Sequence, residues 1–395
     1  MFLATQSRLA QPTFLPDTDR PFGLPAFGNV ADALAAYDGD DAIYVLYPKI
    51  IAAAARTFLD GFPGKTVYAV KANPHPAVIR ILWSEGVRGF DVASIREINL
   101  VRRVAPDAEL YLMHPVKSRR TIRHAYAQGV RHFAFDCAAE LEKIINETGQ
   151  ATDLHLHLRL ALPYSGSATM PLAGKFGAGF AESVQLLKSA RPVAKKLGMA
   201  FHVGSQCMDP ADYIRAFAHV DAIRTSAGIK VDSLDCGGGF PVAYPGLTPP
   251  AMGDYFARIQ KGLSIFGFDA LEIIGEPGRA LSGEGGSTLA RVELRKGGDL
   301  YLNDGSYGSL FDAAQCAWKY PVKLHRQVSS ASPLRDYRFF GPTCDAIDVM
   351  AGPFALPDDV REGDWIEICH LGAYGQALAS DFNGFQSETT IAVLS

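Results

Sequence analysis

The feature that most constrains the fold is a series of short apolar runs, each ending in polar or glycine-rich residues. They are TVYAVK (66–71), RGFDVAS (88–94), AELYLMHP (108–115), HFAFD (132–136), DLHLHLRL (153–160), MAFHVGS (199–205), SLDCGGG (233–239) and LEIIGEPG (271–278). Runs of this length read as strands, and most stretches between them, such as SIREINLVRRVA and AESVQLLKSARPVAKKLG, carry an amphipathic helical pattern. Strands alternating with helices imply a parallel sheet, and eight such units imply closure into an eight-stranded β/α barrel of about 250 residues. After residue 280 the pattern changes. LARVELRK, DYRFFGP, DWIEICHLG and TTIAVLS alternate with period two, which predicts antiparallel strands joined by turns. The expected division is a barrel over 41–280 and a mainly antiparallel β domain built from 1–40 and 281–395, with part of the first 40 residues pairing into it.

With 48% hydrophobic and 20% charged residues the chain can bury a large core. A net charge of -4 gives no reason to expect a nucleic-acid partner. No apolar run reaches the ~18 residues of a membrane span, and the opening MFLATQSRLAQPTFLP lacks the uninterrupted apolar core of a signal peptide. Six cysteines at 137, 207, 236, 316, 344 and 369 form no CxxC pair, which reads as reduced thiols in a cytoplasm.

In a barrel of this kind chemistry sits where the strands end. Those ends supply Lys71, Asp91, His114, Asp136, Arg159, His202, Gly237 to Gly239 and Glu276, more polar groups than a structural barrel needs at one mouth. Lys71 ends YAVK. It is either a desolvated amine nucleophile with a lowered pKa or a strand-end lysine reaching solvent. The glycines let backbone N–H groups approach a phosphate, and GEPGR brings Arg279 close by, so the loops after strands seven and eight together point to phosphate. Glu276 reads as a partner for the ring nitrogen of pyridoxal phosphate, or as a salt bridge to Arg279. His202 points into the barrel by alternation, to stack on a flat ring or to be hydrogen-bonded in the core. His155, His157 and Arg159 share one face; without a matching carboxylate or cysteine cluster they favour a polar barrel interior over a metal site. Cys344 and Asp345 sit side by side in GPTCDAID, as a structural thiol or as a proton donor beside an anion.

Taken in order, YAVKANPHP, FDVAS, HVGSQ, DCGGGFP, GEPGR, GPTCDAID and GAYG followed by FNGF resemble the fold-type III pyridoxal-phosphate decarboxylases of ornithine, lysine and diaminopimelate, over roughly residues 40–390. GPTCDAID and FNGF are similar to the ornithine branch, since the diaminopimelate branch typically carries Glu where Asp345 stands. The resemblance implies an alanine racemase/ornithine decarboxylase-like architecture with pyridoxal 5'-phosphate as cofactor. Lys71 would form the internal aldimine, with Asp91 near it. Arg159 would lie by the phenolic oxygen, and His202 would stack on the ring. Ser205, Gly237, Gly238, Gly239, Gly278, Arg279 and Tyr374 would hold the phosphate, and Glu276 would pair with the pyridine nitrogen. Cys344 would protonate the carbanion left by CO2, and Asp345 would bind the substrate's distal ammonium. Both would reach into the neighbouring subunit's barrel, making the enzyme a homodimer, with Lys175 and Asp348 as a cross-subunit ion pair.

One departure bears on the substrate. Eukaryotic ornithine decarboxylases carry a second acid nine positions after the tyrosine of YGS; here that tyrosine is Tyr307, the position is Cys316, and Asp312 is the nearest acid. Tyr307 and Asp312 are therefore expected to line the substrate space. The implied activity is decarboxylation of a basic L-amino acid, ornithine to putrescine first, with lysine as the alternative. A racemase is opposed by the Cys-Asp pair. A non-catalytic regulator is opposed by the retained Lys71, Glu276, Arg279 and Cys344.

Overall fold

The computed structural model describes residues 21–395 apart from 165 and 173, so the opening segment read for a signal peptide lies outside the described residues. Eight parallel strands close into a barrel: β1 Lys65–Ala69, β2 Gly89–Asp91, β3 Glu109–Leu112, β4 His132–Phe135, β5 His155–Arg159, β6 Lys196–Ala200, β7 Ser233–Asp235 and β8 Glu272–Gly275. Closure comes from β8 against β1, with Ile274 opposite Lys65 and Gly275 opposite Thr66. All eight apolar runs therefore supply barrel strands, though the boundaries move. Pro192 lacks the N–H a helix needs, so the helix Phe180–Ala190 gives way to a 3-10 turn over Arg191–Val193. β6 then begins at Lys196, inside the stretch read as helical.

Alternation sorts each strand into two faces. Tyr68, Phe90, Leu110, Leu112, Phe133, Phe135, Leu156, Leu158, Met199, Phe201 and Leu234 face outward into the main core beneath the helices. Each large side chain so buried contributes about 1.5–3 kcal/mol relative to exposure. The inward apolar set is small: Val67, Tyr111, Met113, Ala134, Ala200 and Ile274. The rest of the interior is polar, so the barrel's stability comes from its outer jacket and its inside is left for charged groups. The helices start as the sequence indicates. In SIRE, Ser94 accepts the Glu97 N–H at 3.2 Å, and Glu97 Oε2 accepts the Ala93 N–H at 2.6 Å, a variant of the capping box.

The second unit is a nine-stranded sheet. Its spine, Gly286–Lys296, pairs antiparallel with Ile43–Leu46, Asp299–Leu302 and Trp365–Ile368. Ala26–Phe27 pairs parallel with Thr390–Val393, which in turn pairs parallel with Ile43–Leu46. The N-terminal contribution expected of the first 40 residues is thus present, and it extends further than expected. Ile43–Leu46, assigned by sequence to the barrel, lies fully buried between two strands of the β sheet; Ile43, Val45 and Leu46 are apolar, and the Tyr44 hydroxyl is satisfied by Asn73. The barrel proper begins with the helix Pro48–Gly61.

Candidate active site at the barrel mouth

β1 does not run on to Lys71. The backbone winds into a 3-10 turn, Val70–Ala72, and Lys71 stands on that turn. Its Nζ lies 3.6 Å from Asp91 Oδ2 at the end of β2, and Asp91 Oδ1 accepts the Met113 N–H at 3.3 Å. Desolvation pulls the lysine's pKa down, as the sequence reading expected. Asp91, with Tyr374 and Glu276, outweighs it and holds the ammonium above its ordinary value. The lowered pKa is therefore corrected: the strand-end carboxylate wins over desolvation of a side chain that is half exposed.

Glu276 follows β8 and is buried, with Oε1 unpartnered. Asp235 ends β7 beside it, fully buried. Its Oδ1 accepts the Gly237 N–H at 2.7 Å, and its Oδ2 is unpartnered. Burial pushes both carboxyls above the usual carboxylate range, and the Asp235 charge raises Glu276 further. Arg159, at the end of β5, faces Glu276, Asp235, Asp91 and Asp136. His202 lies beyond the end of β6 between buried Phe201 and Val203, and its Nδ1 accepts the Gly204 N–H at 2.9 Å. Burial, then Arg159 and Lys71, drives its pKa well below normal, so the imidazole is neutral.

The glycines are required by their surroundings. Gly237 is left-handed, φ +65°, and a Cβ there would fall 2.2 Å from the Phe201 carbonyl. At Gly238 a Cβ would lie 2.7 Å from the Glu276 carbonyl and 3.1 Å from His202 Nε2, so the histidine ring faces bare backbone. A Cβ at Gly278 would meet Ala72 Cβ at 3.0 Å, which packs this loop on the lysine turn. Ser205 opens the short strand Ser205–Cys207, just after His202.

Arg279 is buried, but its partner is not Glu276. Nη1 donates to Tyr244 Oη at 2.8 Å and Nη2 to Asp312 Oδ2 at 3.0 Å, while Nε is unpartnered. Asp312 also accepts Tyr320 Oη–H at 3.0 Å. This replaces two expectations. The Glu276–Arg279 bridge is not formed, and Asp312 is withdrawn from substrate contact because the turn Phe311–Gln315 tucks its carboxylate under Arg279. Tyr374 closes the group, its ring 5.0 Å from the Arg279 guanidinium.

Cys344 and Asp345 form a separate cluster on the β domain. Cys344 is exposed, and its N–H donates to Asn383 Oδ1 at 3.2 Å. Tyr307 Oη–H donates to Asp345 Oδ2 at 2.5 Å, holding that carboxylate below its ordinary pKa, and Phe382 lies on the Tyr307 ring at 4.7 Å. Asp348 is buried and takes the N–H and hydroxyl of both Ser306 and Thr343, so in this chain it braces the GPTCD loop. Lys175 stands 5.0 Å over the Phe176 ring. At the position where a second acid was sought, Cys316 Sγ meets Met170 Sδ at 3.9 Å.

His114 and Asp136 brace loops at the rim. The His114 ring packs on Phe176 at 5.3 Å, and Asp136 accepts the Gly177 N–H at 2.9 Å. His155 and His157 face inward as expected, but at the opposite end of the barrel. Among the described residues no His, Cys, Asp or Glu group is arranged to hold a metal ion, and no helix is long and apolar enough to cross a membrane.

Pyridoxal phosphate fits what the mouth leaves open. An unpartnered Glu276 oxygen suits a ring nitrogen, a neutral His202 over glycine backbone suits a flat ring, and the Arg279 Nε with the glycine loop suits a phosphate. Three residues here escaped the sequence reading. Asp235 was visible, since alternation in SLDCGGG turns it inward, and Asn73 stood in YAVKAN; nothing in the local sequence marked Tyr244.

The pattern of the family described as "Pyridoxal-dependent decarboxylase, pyridoxal binding domain" matches residues 49–283. Antizyme inhibitor 2 of Xenopus laevis is 33% identical, covering 91% of this chain and 82% of that protein. Ornithine decarboxylase of Mus musculus is 31% identical, covering 92% and 82%. The crystal structure of Paramecium bursaria Chlorella virus arginine decarboxylase bound to agmatine superposes with a TM-score of 0.81 at 29% identity, covering 92% of this chain and 99% of that one. The eight-stranded barrel, its accompanying β sheet and a mouth shaped for pyridoxal phosphate are those of the pyridoxal-dependent decarboxylases, the family to which this chain belongs.

Proposed function

We propose that the chain is a carboxy-lyase that removes CO2 from a basic L-amino acid, L-ornithine to give putrescine, with L-lysine as the alternative substrate. The observation that carries this reading is the convergence at one mouth of Lys71 with Asp91, the unpartnered Glu276 oxygen, neutral His202 and Arg279. Bound pyridoxal phosphate supplies the electron sink for the pair left at Cα when CO2 departs. The residues do the rest. Lys71 is the amine that would attach the cofactor, and Asp91 beside it holds and orients its ammonium. Glu276, kept protonated by burial, holds its proton where the ring nitrogen sits. His202 covers the ring and excludes water. Ser205, Gly237 to Gly239, Gly278, Arg279 and Tyr374 would take the phosphate, and Arg159 would serve the phenolic oxygen.

Cys344 returns a proton to Cα, and Asp345 binds the distal ammonium. Because their contacts lie within the β domain, we place them in the partner subunit's mouth, with a homodimer as the working unit. Asp345 is suited to this work, as an exposed carboxylate held ionised by Tyr307. Lys175 and Asp348 remain a proposed contact across that interface. Six unpaired thiols support a cytoplasmic location.

A relative named for inhibiting antizyme supports a second reading, a regulator that binds a protein. The retained Lys71, Glu276, Arg279 and Cys344 favour the enzyme. A panel of L-ornithine, L-lysine, L-arginine and meso-diaminopimelate assayed for CO2 release tests the proposal. Release from ornithine or lysine is expected. A chain with a full visible cofactor band and no release from any of the four would sink the decarboxylase assignment.

A further inference from the structure

The lysine turn and the segment bearing Tyr374 belong to different units of the fold, and one buried amide joins them. Asn73 directly follows the Val70–Ala72 turn and is 4% exposed. Its Nδ2 donates to Tyr44 Oη at 2.9 Å and to the Gly372 carbonyl at 2.8 Å, and its Oδ1 accepts the His75 N–H at 3.0 Å. The backbone repeats the link: Tyr374 N–H donates to the Ala72 carbonyl at 2.8 Å, and Tyr68 Oη–H donates to the Asn73 carbonyl at 3.2 Å. Tyr374 is itself left-handed, φ +59°, a conformation a tyrosine keeps only when its surroundings impose it. Gly372 leaves the segment no slack, since a Cβ there would fall 1.8 Å from the Ser282 carbonyl.

We infer that Asn73 is a positioning residue that sets the distance between the Lys71 amine and the Tyr374 phosphate contact. The inference rests on the reading that these two residues hold opposite ends of the cofactor. Only a primary amide of this length supplies two donors and one acceptor from one side chain. Aspartate keeps the shape and loses both donors; leucine loses all three bonds. A staple serving stability alone would cost folding when removed and leave the chemistry of the lysine unchanged. A positioning staple also shifts the lysine relative to the phosphate grip.

The test uses the cofactor-loaded enzyme and two readouts besides turnover: the pH midpoint of the visible cofactor band and the dissociation rate of pyridoxal phosphate. Asn73→Ala is expected to move the midpoint by about half a unit or more and speed dissociation on the order of tenfold. Val360→Ala, in the separate core of the β domain, serves as a control matched for lost thermal stability and should move neither. Tyr44→Phe removes one of the amide's two acceptors, together with the long Tyr44 Oη–H bond to the Leu371 carbonyl at 3.5 Å, and should give a smaller shift in the same direction, which keeps the test open if Asn73→Ala does not fold. Asn73→Ala and Tyr44→Phe behaving like the control would overturn the inference and leave Lys71 in place. A visible band that persists in Lys71→Ala would overturn the lysine assignment and this inference with it.

Discussion

The two ends of the barrel are built from the same eight strands, and both are crowded with charge, yet they treat it in opposite ways. At the floor Lys65 bridges Glu109 at 3.1 Å and Glu272 at 2.6 Å, and Lys196 meets Glu272 at 2.6 Å. His132 contacts Glu109 and His155 at 3.1 Å and His157 at 3.0 Å, with His157 Nδ1 buried and unpartnered. At the mouth Glu276 Oε1, Asp235 Oδ2 and Arg279 Nε are buried and unpartnered. Each such group costs about 1–3 kcal/mol in desolvation. A fold that closes its ion pairs at one end and leaves them open at the other has a structural end and a ligand end.

If that division is right, the largest effects come from the mouth. Lys71→Ala should abolish the visible cofactor band and lower kcat at least about a thousandfold, because it removes the covalent attachment. The β-domain cluster should act in trans: mixed with inactive Cys344→Ala and re-equilibrated, Lys71→Ala should recover part of the activity through hybrid dimers with one intact site. Mixtures that stay dead while hybrids demonstrably form would return Cys344 to its own subunit.

Next in size is Asp345→Asn. Losing the partner of the substrate ammonium in a desolvated contact should cut kcat/KM on the order of 30-fold or more for ornithine and lysine alike. Cofactor content and dimer fraction should hold. A variant that loses dimerisation instead would make Asp345 a brace of its loop.

A smaller effect distinguishes the ends by stability. Burial raises the Asp235 and Glu276 carboxyls, so the folded chain binds those protons more tightly than the unfolded one. That advantage is full below the ordinary carboxylate range and is lost as pH rises through the raised values. Asp235→Asn should therefore make the cofactor-free protein more stable at pH 8, by about 1–3 kcal/mol, and nearly unchanged in acid. Melting temperatures of the cofactor-free protein between pH 4.5 and 8.5 check it. A variant less stable at pH 8 would mean that the Asp235 bond to the Gly237 N–H outweighs its burial.

The barrel was legible because its outer face must be apolar under the helices, which leaves the runs in the sequence, and because inward residues follow by alternation. That is how His155, His157 and Arg159 could be assigned to one inward face from the sequence alone. What stayed hidden depends on contacts between distant segments. Asp312 is an acid near the right place in sequence, but a five-residue helix turns it onto Arg279. Asp91 was expected near Lys71, but only the fold sets its carboxylate 3.6 Å from the half-exposed amine, where its charge outweighs desolvation. Ile43–Leu46 has a strand's pattern in either domain, and only pairing with Thr390–Val393 and Gly286–Lys296 decides between them.

The smallest effect belongs to the floor. Lys196 and Glu272 form a short pair, but their side chains are 42% and 20% exposed, and Glu272 keeps Lys65 when Lys196 is gone. Desolvation raises the Glu272 carboxyl, yet the bonds to Lys196 and Lys65 outweigh it and hold its pKa below normal. The stabilisation is thus present above the ordinary glutamate range and lost as pH falls through the lowered value. Exposed pairs contribute about 0.2–1 kcal/mol, and salt screens them over ~10 Å at 0.1 M. Lys196→Gln should therefore lower the melting temperature at pH 7 by no more than about 3 °C, less in 0.5 M salt. It should leave kcat, KM and the visible cofactor band unchanged. A tenfold fall in kcat with an intact melting temperature would break the comparison, since the floor would then reach the mouth through the barrel interior.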